Sequence, residues 1–371
     1  MKVIIINQHL SDVLGGSELQ CDLIADGLVQ RGCDVTYFVV GPKRKAEYNK
    51  YSYTIIPVDL ENKELLTSLL DNEAPDVIYW RYNKILLYQC VRLFNNKKIP
   101  VIFAISAISD TRRFPQMSRV KILLRNKNIF KAIYNVGNLF YNSISNHRAF
   151  KFIDAVTANN SAYINRLPVK KQELILNSID TEIGTYRFNK RPYCIWVANL
   201  KEKKRPELFI RLAHEMRSIV DLEFVMVGNI QSRKYLKIIK ESKAIENFHF
   251  LGPLQPKEVN SLLRDALCLV HTCMPEGFGN NFIQAWAQGV PTISYEFDPG
   301  NFIQTESLGY VSHCDFALMK EQLLLLYREP NLKEKYSNRL MKFVDVNFSQ
   351  TGMINKLFAL MQSVIKGNNA N

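Results

Sequence analysis

The chain has 371 residues, 47% of them apolar and 22% charged, with 48 Lys and Arg against 35 Asp and Glu for a net charge of +13. These values exclude a disordered chain and leave material for two or three domains, and no apolar run approaches the ~20 residues that span a bilayer. Seven cysteines without a CxxC pair predict reduced thiols in the cytosol, and the six scattered histidines show no metal-binding spacing.

The opening MKVIIINQHL lacks a small-residue cleavage site and reads as a first strand, Val3 to Asn7, rather than a signal peptide. A polar loop with Gly15-Gly16-Ser17-Glu18 follows, then a helix from about Ser17 to Arg31 with Leu19, Leu23, Ile24 and Leu28 at helical spacing. Further strands are predicted at Val35–Val40, Ser52–Pro57, Val77–Trp80, Val101–Ile105 and Ala155–Ala158. This alternation predicts an α/β fold with a parallel sheet covered on both faces. It places Gly15 and Gly16 at the carboxyl end of the first strand, where doubly wound folds bind ligands. His9, near the same strand end, is a further candidate for contact with the sugar or acceptor. The loop is not a GxGxxG, which argues against a dehydrogenase.

Residues 111–153 hold nine Lys or Arg and no Asp or Glu: Arg112, Arg113, Arg119, Lys121, Arg125, Lys127, Lys131, Arg148 and Lys151. Phe114, Ile122, Leu123, Phe130, Ile133, Tyr134, Phe140 and Tyr141 lie between them. Basic and apolar side chains so mixed suit an anionic membrane surface, where each cation contributes about 1 kcal/mol. No nucleic-acid motif accompanies the charge.

The second half repeats the rhythm, with strands predicted at Tyr193–Ala198, Leu222–Val227, Phe248–Leu251, Cys268–Thr272 and Thr292–Tyr295. A basic loop, Asn199-Leu200-Lys201-Glu202-Lys203-Lys204-Arg205, leaves the first of these, and Pro206 opens a helix to about Met216. The segment LVHTCMPEGFGNNFIQAWAQGVPTISY, Leu269 to Tyr295, reads as strand, glycine-rich loop, helix and strand. Gly277 and Gly279 permit the turn, Asn280 or Asn281 starts the helix, and Gly289 with Pro291 ends it. A helix N-terminus under such a loop suits a phosphate, while Glu276 is placed to grip hydroxyls, so a sugar nucleotide is implied. His271, on the entering strand, reads as a packing residue.

Glu276, Gly277, Phe278, Gly279, Ala285, Ala287, Gly289 and Pro291 resemble the signature of the retaining family 4 glycosyltransferases, which have the GT-B fold. The resemblance implies two Rossmann-like domains facing each other across a cleft, with a C-terminal helix crossing back to the first. Asn177-Ser178-Ile179-Asp180 is similar to the family's domain boundary. The expected division is a first domain at 1–180, a linker at 181–191, a donor-binding domain at 192–350 and the returning helix at 351–371. Two residues depart from the signature. The family's second Glu is Gln284, whose amide also offers a ribose an acceptor and a donor. The Arg of the family's basic loop is Asn199, while Lys204 matches its Lys and Lys203 and Arg205 stand near.

The resemblance further implies glycosyl transfer with retention, no metal and no cofactor. Glu276 would hold the donor sugar, Lys204 would neutralise the diphosphate, and the backbone of Gly279, Asn280 and Asn281 would orient the sugar or phosphate. Gly15 and Gly16 would lie beside the donor phosphate and the acceptor. The sequence contains no Asp-x-Asp, consistent with that mechanism. A His that many members carry after the fourth or fifth strand has no counterpart in Phe103 to Asp110, where Ser106, Ser109 and Asp110 are the polar candidates. The expected partners are a nucleotide sugar, a glycan or lipid-linked acceptor in cell-surface polysaccharide synthesis, and an anionic membrane surface reached through 111–153. The expected location is cytoplasmic and peripheral, on the inner face of the plasma membrane. The rival reading is a non-catalytic GT-B binding partner in a glycan-assembly complex.

Overall fold

Strands buried on both faces read as unbroken apolar runs, and β1 (Lys2–Asn7) is one of them, with five of six residues buried. It lies central in a seven-stranded sheet of order β3-β2-β1-β4-β5-β6-β7, every pair parallel. The other members are β2 (Asp34–Val40), β3 (Thr54–Val58), β4 (Val77–Trp80), β5 (Val101–Ile105), β6 (Ala155–Ala158) and β7 (Lys171–Leu174). The computed structural model describes residues 1–13, 15–41, 48–114, 129–179, 181–188, 192–274, 278–329 and 331–369, the side chains of 129–132 and 369 excepted.

Helices cover both faces of this sheet. On one, α1 (Gly16–Gln30) packs beside the terminal helix α13 (Gln350–Asn369), and Met353, Ile354, Leu357, Leu360, Met361 and Val364 join Val3, Ile5, Tyr37 and Tyr79 in one core. Gly27 lets these helices meet: a Cβ there would lie 2.6 Å from Ile354 Cγ1. Gln350 Nε2 donates to the Leu23 carbonyl at 2.9 Å. On the other face lie α2 (Lys63–Glu73), α3 (Leu87–Asn96) and residues 149–153, packed on Ile4, Ile6, Trp80 and Phe103. The crossover from β5 to β6 contains α4 (Ile108–Thr111) and α5 (Ile129–Arg148).

The chain divides into two units, Met1–Asn177 with Gln350–Asn371, and Ser178–Ser349. The second is built on a six-stranded parallel sheet, order β10-β9-β8-β11-β12-β13. Its strands are β8 (Tyr193–Val197), β9 (Glu223–Val227), β10 (Phe248–Gly252), β11 (Cys268–His271), β12 (Thr292–Ser294) and β13 (Gly309–Val311). They alternate with α6 (Pro206–Met216), α7 (Arg233–Ser242), α8 (Pro256–Asp265), α9 (Asn280–Ala287), α10 (Phe302–Thr305), α11 (Phe316–Arg328) and α12 (Asn331–Asn347).

The segment expected as a linker, 181–191, is instead held on the second unit where it is described. Gly184 N donates to Lys257 O at 2.8 Å, Asn260 Nδ2 to Glu182 O at 2.8 Å, and Ser261 Oγ to Gly184 O at 2.7 Å. Two strands, β7 and β13, escape the sequence reading; both are sheet edges. All seven cysteines are unpaired thiols, six of them buried. Among the described residues no helix is long and apolar enough to cross a membrane, and no cluster of three His, Cys, Asp or Glu could hold a metal.

Candidate active site

In the second unit the candidate donor residues come from two loops at the carboxyl ends of β8 and β11, adjacent parallel strands. Residues 202–204 form a single tight turn after β8, and Arg205 takes the left-handed conformation (φ 47°) that starts α6 at Pro206. Thr272, 1% exposed, ties this loop to the other: Trp196 Nε1 donates to its Oγ1 at 2.9 Å, and the hydroxyl donates to the Lys204 carbonyl at 2.7 Å. Met274 N donates to Lys203 O at 2.9 Å, so the basic loop runs along the entrance to the glycine-rich one.

That glycine-rich loop ends at Gly279, the N-cap of α9, in the left-handed region at φ 82°. A Cβ there would lie 2.7 Å from Phe282 Cδ2, so both backbone and packing require glycine. The first turn of α9 therefore begins without a side-chain cap, and Phe282 N donates to the Gly279 carbonyl at 3.0 Å. Asn281 Nδ2 donates to Val197 O at 3.0 Å, fastening that turn to the end of β8. Asn280 is half-buried beside it. Phe278 is buried against Phe348, ring centroids 5.5 Å apart, so it anchors the loop rather than facing a ligand. Gln284, half-buried, donates to Asn260 Oδ1 at 3.4 Å. Asn199 Oδ1 accepts from Asn229 N at 3.3 Å, which spends its acceptor on the next loop. Glu276 and Gly277 lie outside the described residues.

The Arg205 guanidinium pairs with Glu296 Oε2 at 3.1 Å, so part of its charge is met within the unit. Glu296, four residues beyond the start of β12, gave no signal in the sequence because no motif marks it. His271 is buried and packs on Phe282 with ring centroids 4.3 Å apart, as a packing residue should.

In the first unit, Gly15 is the N-cap of α1, and a Cβ on it would meet Glu18 Oε2 at 2.1 Å. The missing side chain lets Glu18 fold back over the first turn; Gly16 opens the helix. This loop leaves β1 at the switch point, where β1 and β4 adjoin and the strand order reverses. The sequence reading missed Arg81, which closes β4 at the same place. It is 8% exposed, donates from Nη2 to Asn177 Oδ1 at 3.1 Å, and leaves Nε without a partner. An arginine ending the otherwise apolar strand VIYW was the available signal.

Two further candidates have partners within the first unit. His9 is fully buried in a box of Tyr37, Tyr48, Tyr51 and Tyr53, its Nε2 3.1 Å from the Tyr53 hydroxyl and its Nδ1 2.6 Å from Ser11 Oγ. Burial, helped by Lys50, pulls its pKa down to about 4, and a neutral imidazole so enclosed is structural. Asp110 Oδ2 accepts from Ser106 N and Ala107 N, both at 2.9 Å, and so caps α4. Burial raises its pKa despite those bonds. Ser106 and Ser109 are half-buried at the end of β5, and Ser106 Oγ is a buried hydroxyl without a partner. Of the basic segment, Arg112, Arg113, Arg148 and Lys151 are exposed, as are Ile133, Tyr134 and Tyr141 of α5; residues 115–128 and the Lys131 side chain lie outside the described residues.

Residues 179–339 match the model of the glycosyl transferases group 1 family. No curated protein matches the chain. Among solved structures it is similar to a glycosyltransferase from Rickettsia africae, with a TM-score of 0.73 and 13% identity over 98% of each chain. HepE of Anabaena in complex with UDP and glucose gives a TM-score of 0.72 and 15% identity, over 98% of this chain and 100% of that one. WaaG, a glycosyltransferase involved in lipopolysaccharide biosynthesis, gives 0.66 and 13%, over 97% and 99%. At these identities the structures speak for the fold, two Rossmann-like units of the GT-B type. The chemistry rests on the domain match, which gives residues 179–339 of the chain a glycosyl transferases group 1 domain.

Proposed function

We propose that the protein is a retaining, metal-independent glycosyltransferase of family 4, moving a sugar from a nucleoside-diphosphate sugar to a glycan or lipid-linked acceptor in cell-surface polysaccharide synthesis. The observation that carries this reading is the joining of the Lys204 loop to the entrance of the α9 loop through Thr272, inside the matched domain. A cationic side chain and a helix N-terminus held together suit a diphosphate, and both stabilise the negative charge that develops on it as the leaving group departs. That HepE holds UDP and glucose supports the donor class. The involvement of WaaG in lipopolysaccharide biosynthesis supports the acceptor class.

In this mechanism the bond from the anomeric carbon to the diphosphate oxygen breaks while the acceptor oxygen bonds to the same face. The acceptor proton passes to a diphosphate oxygen. Lys204 and the α9 dipole supply the positive charge, and Glu276 holds the sugar's hydroxyls. The exposed Arg112, Arg113, Arg148 and Lys151, with Ile133, Tyr134 and Tyr141, support peripheral docking on the anionic inner face of the plasma membrane.

Purified protein incubated with a panel of nucleotide sugars and membrane-extracted acceptors tests the reading, with the product's anomeric configuration read by NMR. Transfer with the donor's configuration kept, undiminished by EDTA and abolished in Glu276→Ala, is the expected result. Inverted product or EDTA-sensitive transfer contradicts it, and no transfer from any donor would return the non-catalytic partner.

A further inference from the structure

A group of polar side chains at the ends of β4 and β5 takes no part in the donor site. Lys84, in the loop after β4, donates from Nζ to the carbonyls of Asp110 at 3.0 Å and Arg112 at 2.7 Å, pinning the loop that follows α4. One contact holds α5 against that loop and another holds it against α3. Phe114 packs on Phe140 with ring centroids 5.6 Å apart, and Tyr88 N donates to Asn146 Oδ1 at 3.3 Å. His147 follows Asn146, seven residues and so two turns beyond Phe140 on the same helix face. Its ring stands edge-on to Phe150 at 5.7 Å, and its Nδ1 is buried without a hydrogen-bond partner. Burial first, then the positive charges of Lys84 and Arg113, hold its pKa below the ordinary value. The exposed Arg113 guanidinium lies over the Phe114 ring at 5.5 Å. Asp110, the acid of the group, is spent on two backbone amides.

We propose that Lys84, Arg113 and His147 form an anion subsite that receives a phosphate group carried by the acceptor. An ammonium with one N–H left, a guanidinium and an imidazole nitrogen without a partner make a donor set whose one neighbouring carboxylate, Asp110, is bonded to backbone amides. Phosphate brings two negative charges and several acceptor oxygens, and its arrival draws a proton onto His147. The assignment rests on the glycosyltransferase reading and narrows its acceptor class to phosphorylated ones. A soluble phosphorylated sugar and an anionic lipid headgroup share this chemistry.

The test uses the full chain with ¹³C,¹⁵N-labelled histidine, His147 assigned through His147→Gln, titrated at pH 7 with inorganic phosphate, phosphatidylglycerol vesicles and phosphatidylcholine vesicles. The expected result is a saturable move of the His147 signals toward the imidazolium form, at least tenfold weaker in Arg113→Gln, an exposed substitution whose unchanged melting temperature shows an intact fold. A response to inorganic phosphate assigns the subsite to a soluble phosphate group, and a response to phosphatidylglycerol alone assigns it to a headgroup. No response to either, or an equal response in Arg113→Gln, overturns the proposal. Stabilisation of the same variant by a nucleoside diphosphate is read in parallel, so failure here is distinct from failure of the donor reading.

Discussion

The polar residues of this chain divide by what surrounds them, and that division sets their pH behaviour. His9 sits neutral inside four tyrosines with its pKa pulled down to about 4 by burial and Lys50. An unfolded histidine titrates near 6.5, so between about pH 6.5 and 4 the unfolded chain binds the proton that the folded one refuses. The contribution is fully present above pH 6.5 and is lost as pH falls toward 4. Melting temperatures of the wild type over that window should fall more steeply than those of His9→Gln; parallel curves would show that His9 carries no linkage. Residue roles of this kind were the least legible in the sequence. His9, Arg205 and Asp110 all read as ligands because a polar residue at a strand end looks the same whether it meets a substrate, a tyrosine box, Glu296 or a helix amide. The partners of two of them come from distant chain, 44 residues away for His9 with Tyr53 and 91 for Arg205 with Glu296, while Asp110 bonds amides three and four residues before it.

At the scale of elements, the buried parallel strands were legible nearly to the residue. Val77–Trp80, Val101–Ile105 and Ala155–Ala158 are apolar runs because both sheet faces are covered. The two missed strands fail that test for physical reasons. Lys171–Leu174 (KQEL) is a half-exposed edge with charged residues, and Gly309–Val311 has three residues beginning with glycine. The α9 loop was legible because Gly279 is required at its end. At Gly279 an alanine would pay about 1–2 kcal/mol for the left-handed backbone and would also displace Phe282. Gly279→Ala should therefore melt lower than the wild type and bind nucleoside diphosphates at least tenfold more weakly in calorimetry. Unchanged affinity would detach the α9 N-terminus from the donor site.

At the scale of the molecule, the alternation of strand and helix predicts parallel sheets covered on both faces, and the resemblance implies two Rossmann-like units. The return of the last helix was implied by resemblance alone, since α1 and α13 meet across more than 300 residues and neither carries a local mark of the other; Gln350 and Leu23 are 327 apart. Met353, Ile354, Leu357, Leu360, Met361 and Val364 are all buried in the first unit's core. Each such side chain contributes on the order of 1.5–3 kcal/mol, so their sum is comparable to the whole stability of a domain, about 5–15 kcal/mol. A chain ending at Ser349 should lose the first unit's cooperative unfolding in calorimetry and expose it to protease; a melting profile like the wild type's would refute this.

The claim on which the account turns is a nucleoside-diphosphate site in the second unit, with Lys204 as its cation. Its most direct measurement is the melting temperature of the wild type and Lys204→Ala against a panel of nucleoside diphosphates. Ligand at a hundredfold excess over its dissociation constant stabilises by about 2.7 kcal/mol. The wild type should show such a rise with at least one diphosphate, and Lys204→Ala should lose it. No rise with any diphosphate, or an equal rise in the variant, would contradict it.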